Sequence, residues 1–319
     1  MALSDLHARL AVGEIVILDG GTGTELERRN VPMNDDAWCA LATEVDPDAV
    51  RQVHEDYIAA GADVITANTY ASSRNMLGPA GMGDKVAPLN RRAVEIARDA
   101  RDRAAGDRDV VVAASMSHMM PMVAGEARND PDALPSPDQL VANARELAGI
   151  IKDGGADLII MEMMSRPSQM KPLIEAAHET GLPVWVGMSA RLEDDGRVVS
   201  FAWENYPFDE VVDAAIQAGG GAVMGPMHTN VHVIGPALDI LRKHWSGPMM
   251  AYPDSGYFKM PQWQFDDIIP PAGLVEEARG WIDQGASAIG GCCGIGVEHI
   301  RLLNASLRGD ATHVEQAGD

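Results

Sequence analysis

Short apolar segments alternate along the chain with stretches in which apolar residues return at helical spacing. The stretch at residues 138–155, for example, places Leu140, Ala144 and Leu147 on one face of a helix. The apolar segments show little polar alternation, which is typical of strands in a parallel sheet whose two faces are both covered. We predict eight strands, at residues 15–21, 63–69, 110–116, 157–163, 183–189, 222–228, 248–254 and 287–293.

The joints that lead from a helix into the next strand repeat a glycine. It occurs in the segments AAGADVIT, DGGADLII, QAGGGAVM and DQGASAIG. Glycine accepts the left-handed conformation that commonly ends a helix, so the repeat indicates a recurring β-α unit. Eight such units predict an α/β fold, the (β/α)8 TIM barrel, with an open doubly wound sheet as the alternative. We assign residues 1–307 to one barrel domain and residues 308–319 to an acidic tail that we expect to be disordered.

The connections that follow the predicted strands include long segments, whereas those that precede the strands are short. The long connections are residues 20–46, 117–137, 190–208 and 254–271. In a TIM barrel the connections after the strands gather at the C-terminal mouth, where active sites are built. We therefore expect a functional site at the mouth. The residues at these strand ends that could carry chemistry are Asp19, Gly20, Gly21, Asn68, Tyr70, Glu162, His228, Asp254, Cys292 and Cys293.

Charge and cysteine content narrow the range of functions. The formal net charge of −22 disfavours nucleic acid and anionic membranes as partners, because both would repel the protein. The N-terminal segment holds no apolar stretch long enough for a signal peptide, and no later segment is long enough to span a membrane. Three cysteines, an odd number, argue against a disulfide framework. We expect a cytoplasmic protein that acts on small molecules.

Two of the three cysteines, Cys292 and Cys293, are adjacent in the segment GGCCG. They could pack as small apolar side chains, form a strained vicinal disulfide, or bind a metal ion. Adjacent residues of a regular strand face opposite sides of the sheet, so a shared ion requires an irregular backbone, which the flanking glycines permit. Two thiolates suit zinc, which would take a third protein ligand and keep a fourth position open.

Several residues are candidates for the third ligand. Cys39 lies in the long connection after the first strand, and we interpret it as a packing residue. His118, His228 and His232 follow strand ends, whereas the other histidines lie on helices or termini. His228 is favoured, because it ends the sixth strand and would face the mouth where the cysteines emerge.

These features together resemble the homocysteine S-methyltransferases, a family of zinc-dependent barrels. The segments LDGGTGTEL, YIAAGADVITANTY and LIIMEM are similar to the family's first, second and fourth units, and GGCCG is similar to its most specific signature. The resemblance extends over nearly the whole chain. It implies an enzyme that transfers a methyl group from a small sulfonium or quaternary ammonium donor to a thiol, with homocysteine as the expected acceptor and methionine as the product.

The resemblance also implies roles for individual residues. Asp19 and Glu162 would hold the ammonium group of the substrate, and amides around Gly20 and Gly21 would take its carboxylate. Tyr70 matches a position close to the methyl donor. The cysteine pair matches zinc ligands, and the zinc would hold the substrate thiol as its thiolate.

The chain departs from the family pattern at two places. The family's first zinc cysteine ends the sixth strand, usually after asparagine, and an alignment without gaps puts His228 there and Met227 at the asparagine. We therefore predict a His-Cys-Cys zinc site, in which the substrate sulfur ionises more readily but is a weaker nucleophile. The segment after the third strand, ASMSHMMPMVAGE, also differs from the family pattern. The identities of the methyl donor and the acceptor therefore stay open. His118 lies in this segment and could be an additional metal ligand.

Aromatic residues near the predicted mouth suggest a cage for a cationic donor. Cation–π contacts in a desolvated cage contribute about 2 kcal/mol or more. The candidates are Trp38, Tyr70, Trp185, Trp203, Tyr206 and Trp263.

Two other functions agree with the same residues. A zinc site with an open position can ionise water, in which case Glu162 would shuttle protons in a hydrolase. A barrel without activity could instead bind a small ligand or a metal. The chain shows no C-terminal arm of the kind that betaine-using relatives employ to form tetramers, so we expect a monomer or a small homo-oligomer.

Overall fold

Eight parallel strands form one sheet in the computed structural model, which describes residues 2–121, 130–202, 204–259 and 262–308. The strands of the chain are β1 Val16–Ile17, β2 Val64–Ala67, β3 Val111–Ser117, β4 Leu158–Met164, β5 Val184–Met188, β6 Ala190–Leu192, β7 Val198–Ser200, β8 Val223–Asn230, β9 Met249–Asp254, β10 Tyr257–Lys259, β11 Gln262–Gln264 and β12 Ala286–Ile289. The order in the sheet is β1-β12-β9-β8-β5-β4-β3-β2, and a bridge between Leu18 and Val64 joins β1 to β2. The sheet is therefore closed, and the predicted (β/α)8 TIM barrel is confirmed.

Helices surround the barrel, and their ends follow the glycine repeat. Helix α7 begins with a capping box at Ser136, and it ends at Gly155, whose φ of 84° is left-handed. Helix α4 ends in the same way at Gly61, with a φ of 108°. The helices are α1 Ala2–Ala11, α2 Thr22–Arg28, α3 Ala42–Val45, α4 Pro47–Ala60, α5 Arg74–Leu77, α6 Val86–Ala104, α7 Pro137–Gly154, α8 Pro167–Glu179, α9 Phe208–Gln217, α10 Ile234–His244, α11 Pro271–Asp283 and α12 Val297–Arg308, with short 3-10 turns at Gly83–Lys85, Pro131–Ala133 and Val231–Val233.

Most buried apolar residues form two layers, one inside the barrel and one between the sheet and the helices, and a smaller third cluster includes Met76, Leu77 and Val86. Alternate residues of a strand face opposite sides. Met250 and Tyr252 of β9 therefore lie inside the barrel, while Met249 and Ala251 pack in the outer layer. This alternation decides which strand residues can reach the mouth.

Helix α1 covers the N-terminal end of the barrel. Leu6 and Leu10 are buried in the same cluster as the inward-facing strand residues. Trp185 of β5 belongs to that cluster, and its indole Nε1 donates to Nε2 of His7 over 3.1 Å. The prediction that Trp185 belongs to an aromatic cage at the mouth is wrong, because its side chain faces α1 at the opposite end.

Each predicted strand overlaps one strand of the barrel, and the eighth prediction extends beyond the end of its strand. Strand β12 ends at Ile289, so Cys292 and Cys293 lie in the turn that follows it. The division into a barrel at residues 1–307 and an acidic tail stays a prediction, since residues 309–319 lie outside the described part of the chain. Within the described residues, no helix has the length and apolar character that a membrane crossing requires.

Candidate active site

The turn after β12 carries the cysteine pair and is fixed to the end of β9. The Cys292 amide donates to the Pro253 carbonyl over 2.6 Å, and the Ser255 amide donates to the Cys293 carbonyl over 2.9 Å. Gly294 has a φ of 81°, and a Cβ there would lie 1.8 Å from the carbonyl oxygen of Ser255. Because glycine alone fits this turn, the backbone can leave the strand pleat and hold the two sulfur atoms 3.9 Å apart.

The backbone of β8 is distorted where it carries His228. Val223 and Met227 lie inside the barrel, so regular alternation would turn His228 outward to the helices. His228 instead has a φ of 51°, and the pairing of β8 with β9 shifts register between Met227 and Asn230. The distorted strand places the imidazole Nδ1 3.6 Å from the Sγ of Cys292.

His228, Cys292 and Cys293 form a group that could hold a metal ion, because one ligand atom from each lies within 4.8 Å of the others. One imidazole nitrogen and two sulfur atoms are a donor set that zinc accepts. All three cysteines of the chain are free thiols. Burial lowers the pKa of His228 to about 4, so its imidazole is neutral and can offer a lone pair. The residues present therefore fit a metal ion.

Two buried carboxyl groups lie beside the cysteine turn. Asp19 accepts hydrogen bonds from the Thr66 amide, over 2.6 Å, and from the Tyr252 hydroxyl, while burial raises its pKa to about 6. The Cys292 thiol donates to Glu162 over 3.6 Å, and burial raises the pKa of Glu162 to about 7. Among the described residues no cationic side chain pairs with either carboxyl group. Both are therefore suited to a cationic group of a ligand.

One cavity at the mouth, whose volume of about 420 Å³ includes open solvent, is lined by Glu162 and both cysteines of the turn. Asp19 and His228 are not among its lining residues. Thr66, Ser115 and Tyr252, which were not predicted as site residues, also line the cavity. The alternation of each strand could have indicated them, because they face the barrel interior close to the end of their strand. Of the predicted site residues, the lining includes Gly20, Gly21, Asn68, Tyr70, Glu162, Cys292 and Cys293.

Hydrogen bonds hold the connection after β1 against the cavity. The Cys39 thiol donates to Oδ1 of Asn68 over 3.2 Å, and Nδ2 of Asn68 donates to the Cys39 carbonyl over 2.9 Å. Cys39 lines the cavity but does not belong to the metal group of the described residues. The Gly21 amide donates to the Ile295 carbonyl over 2.9 Å, so the fold itself already uses this donor.

Aromatic rings surround His228. Tyr70 stacks on the imidazole with the ring centroids 6.1 Å apart, and Phe201 meets it edge-on at 5.6 Å. Trp38 lies edge-on to Tyr70 at 6.2 Å and to Phe258 at 5.7 Å. The two phenylalanines were missed because they lie in long connections, where the hydrophobic pattern carries no period.

Of the other residues predicted for the aromatic cage, Trp263 lies with its ring centroid 6.5 Å from that of Phe258. Trp263 is buried and donates its indole N–H to the Ser255 carbonyl over 3.0 Å. Tyr206 packs against the outer core layer, and Trp203 lies outside the described residues.

His118 is buried beside Ser165, with its Nε2 3.0 Å from the Ser165 hydroxyl. Among the described residues the metal group does not include His118, nor does it include the exposed His232, which pairs with Glu277. His228 is thus the histidine that the fold brings to the cysteine pair.

A comparison with known families agrees with this geometry. The sequence profile described as homocysteine S-methyltransferase matches residues 16–307. The chain belongs to the homocysteine S-methyltransferase family. The predicted family and enzyme class are thereby confirmed, and methyl transfer to homocysteine is favoured over hydrolysis and over a role without catalysis.

Relatives of this family match the chain over nearly its whole length. Homocysteine S-methyltransferase YbgG of Bacillus subtilis is 28% identical over 306 residues, which cover 92% of this chain and 95% of the relative. The selenocysteine methyltransferase of Astragalus bisulcatus is 27% identical over 315 residues, which cover 91% of each chain. The metallated crystal structure of the homocysteine methyltransferase MmuM from Escherichia coli has a TM-score of 0.73 at 24% identity, and the match covers 96% of this chain and 99% of MmuM. The two proteins therefore share the barrel fold.

Proposed function

We propose that this protein is a zinc-dependent S-methyltransferase that moves a methyl group from a small sulfonium or quaternary ammonium donor to homocysteine, giving methionine. The observation that carries the proposal is the group of one imidazole and two thiols at the mouth of a barrel of this family. His228, Cys292 and Cys293 would hold the ion. When bound, zinc supplies a Lewis acid that keeps the substrate thiol ionised, and therefore nucleophilic, at neutral pH.

Asp19 and Glu162 are proposed to hold the ammonium group of homocysteine. Both side chains are buried, and a bound ammonium would offset the free energy that burial of a carboxylate costs. Asn68 would shape the same pocket, because it fixes the connection after β1.

The carboxylate of homocysteine is proposed to bind backbone amides around Gly20 and Gly21. Since the Gly21 amide donates to the Ile295 carbonyl, we expect the Gly20 amide to contribute more to this binding than that of Gly21. Both glycines line the cavity, and a Cβ on Gly21 would lie 2.6 Å from the Cys292 carbonyl oxygen. A side chain at this position would therefore displace the cysteine turn.

The methyl donor is proposed to lie against the aromatic rings around His228. The Tyr70 hydroxyl donates to Sδ of Met163 over 3.0 Å, which fixes the orientation of the ring. The rings of Tyr70 and Phe201 would stabilise an onium cation by cation–π contacts, and the contribution of Phe201 would be about 0.5–1 kcal/mol because this ring is 47% exposed. A neutral donor would gain no cation–π attraction from these rings, so a cationic donor is the class expected, in agreement with the net charge of −22.

Metal analysis of the wild type beside His228→Ala and Cys292→Ala tests the proposal. We expect stoichiometric zinc in the wild type and a loss of zinc affinity of about tenfold or more in both variants, since each removes a ligand. His232→Ala is the matched control, because this histidine is exposed and should leave zinc binding unchanged. Wild-type zinc affinity in His228→Ala would refute the ligand assignment.

An activity assay completes the test. The zinc-loaded wild type should remove methyl groups from a panel of sulfonium and quaternary ammonium donors when homocysteine is added, and it should leave them intact when homocysteine is absent. Loss of methyl without any thiol would point to hydrolysis and contradict the proposal.

We further propose a cytoplasmic location and a monomeric or small homo-oligomeric state, without nucleic acid or membrane partners. The free state of all three thiols is expected in a reducing compartment. The net charge of −22 supports the absence of polyanionic partners. Size-exclusion chromatography with light scattering measures the assembly directly.

A further inference from the structure

Asp254 ends β9, the strand that lies between the two strands that position the proposed metal ligands. In the barrel, β9 pairs with β8, which carries His228, on one side and with β12, which leads to the cysteine turn, on the other. Met250 and Tyr252 face the barrel interior, so alternation turns Asp254 to the same side at the mouth. The side chain is 7% exposed.

The carboxyl group of Asp254 is buried without a charged partner. Among the residues that the structure describes, no cationic side chain pairs with it, and burial raises its pKa to about 7. A metal ion bound nearby would favour its ionised form. A buried carboxylate is costly unless a cation lies nearby. The residues on either side of Asp254 hold the cysteine turn, because the Pro253 carbonyl accepts from the Cys292 amide and the Ser255 amide donates to the Cys293 carbonyl. Asp254 therefore lies at the strand position beside both cysteines.

The ligand set of the metal group is one negative charge short of a set with three thiolates. Two thiolates and a neutral imidazole formally cancel the charge of Zn²⁺, whereas three thiolates would leave the site at −1. A less negative site attracts both the metal ion and a cationic donor less strongly.

We propose that the Asp254 carboxylate supplies this missing negative charge, and that it stabilises the metal site through its field from outside the ligand group. The inference rests on the proposed zinc function and assigns a role to a residue that does not belong to the metal group of the described residues. Asp254 is a positioning residue in this account, because it acts on the ion and the donor through the ligands and the space around them.

The zinc dissociation constant of Asp254→Asn, measured by chelator competition on the full chain, tests the inference. The substitution keeps the shape and removes the charge, so we expect zinc affinity to fall by about 10- to 100-fold, as for other groups that support metal ligands. Asp254→Ala should show a similar loss of zinc affinity, and it replaces Asp254→Asn in the test if Asp254→Asn folds poorly. Asp267→Asn is the control, because this aspartate is exposed on the following connection and should leave zinc affinity unchanged.

A double-mutant cycle separates charge compensation from a general structural effect. His228→Cys restores a third thiolate, so removal of the Asp254 charge should cost less zinc affinity in that background than in the wild type. An equal loss in both backgrounds would overturn the inference.

Two further outcomes decide the matter. The absorption spectrum of bound Co²⁺ should be the same in wild type and Asp254→Asn, because the ligands stay the same; a changed spectrum would make Asp254 a ligand and overturn the inference. An unchanged zinc dissociation constant in Asp254→Asn would also overturn it. If His228→Ala still loses zinc in that case, the proposed function stands, whereas a wild type that binds no zinc refutes both.

Discussion

Among single residues, His228 shows that backbone conformation matters as much as side-chain type. Its left-handed φ of 51° costs about 1–2 kcal/mol for a residue with a Cβ. Met163, next to Glu162, has a φ of 60° where the pairing of β4 with β5 also shifts register. Both residues lie at the mouth, and the packed barrel beneath them holds the unfavourable conformations in place.

The pH dependence of stability should reveal the burial of Asp19. Burial raises its pKa from 3.8 to about 6, so the folded chain binds the proton more tightly than the unfolded chain. The contribution of Asp19 to stability is therefore fully present below its ordinary pKa and is lost as the pH rises through about 6. In the metal-free protein, the free energy of unfolding of the wild type relative to Asp19→Asn should fall by about 3 kcal/mol across this range.

Chemical denaturation at a series of pH values measures this difference. Asp267→Asn, at an exposed position, should follow the wild-type curve. A constant difference between wild type and Asp19→Asn would show that the carboxyl group is not perturbed by burial.

The sequence predicted the residue types at the site better than their orientation. His228 could be predicted as a ligand because the sequence shows both its position at a strand end and its residue type. No neighbouring residue in the sequence indicates the register shift that turns its ring to the mouth. Trp185 was misplaced for the same reason, since its contact with His7 joins elements far apart in the chain. Phe201 was missed because its proximity to the imidazole depends on the path of a long connection.

At the level of elements, the end of β9 serves as the base on which the cysteine turn is built. The backbone bonds of Pro253 and Ser255 fix both cysteines, so a displaced turn would separate the sulfur atoms from His228. The sequence indicated an irregular backbone from the flanking glycines. It could not show that the cysteines lie beyond β12, because the apolar pattern continues past Ile289.

Gly294→Ala should disrupt the metal group selectively. The added Cβ would lie 1.8 Å from the Ser255 carbonyl oxygen, so the turn must move and zinc affinity should fall by about tenfold or more. Gly13→Ala is the matched control, because Gly13 has a similar φ of 79° but has nothing within 4 Å of the added atom. Both variants share the backbone strain of about 1 kcal/mol, and calorimetric zinc titration separates this strain from loss of the site. Equal zinc affinities for the two variants would contradict the role given to the turn.

In the whole molecule, the residues that pack the N-terminal end of the barrel and the residues of the candidate site lie at opposite ends of the barrel axis. Helix α1 packs at the N-terminal end, whereas the carboxyl groups and the metal group lie at the other. The sequence predicted this architecture well, because the eight apolar segments and the repeated glycine before the strands are local patterns that together indicate eight β-α units.

Leu6→Ala should lower stability without changing the site. Leu6 is 2% exposed in the inner cluster, so the substitution should cost about 2–5 kcal/mol in the free energy of unfolding. Val12→Ala, at a residue 80% exposed, should cost little. Denaturant unfolding measures both, and chelator competition should give wild-type zinc affinity for each. A zinc affinity that fell with Leu6→Ala would show that the two ends of the barrel are coupled.

Because α1 covers one end of the barrel, both substrates would share a single entrance. The acceptor is proposed to lie deep, against Asp19 and Glu162, and the donor to lie nearer the surface, against Tyr70. A seated donor would then obstruct the path by which the acceptor travels. Turnover would follow a compulsory sequence, in which the thiol arrives before its alkylating partner and methionine departs last.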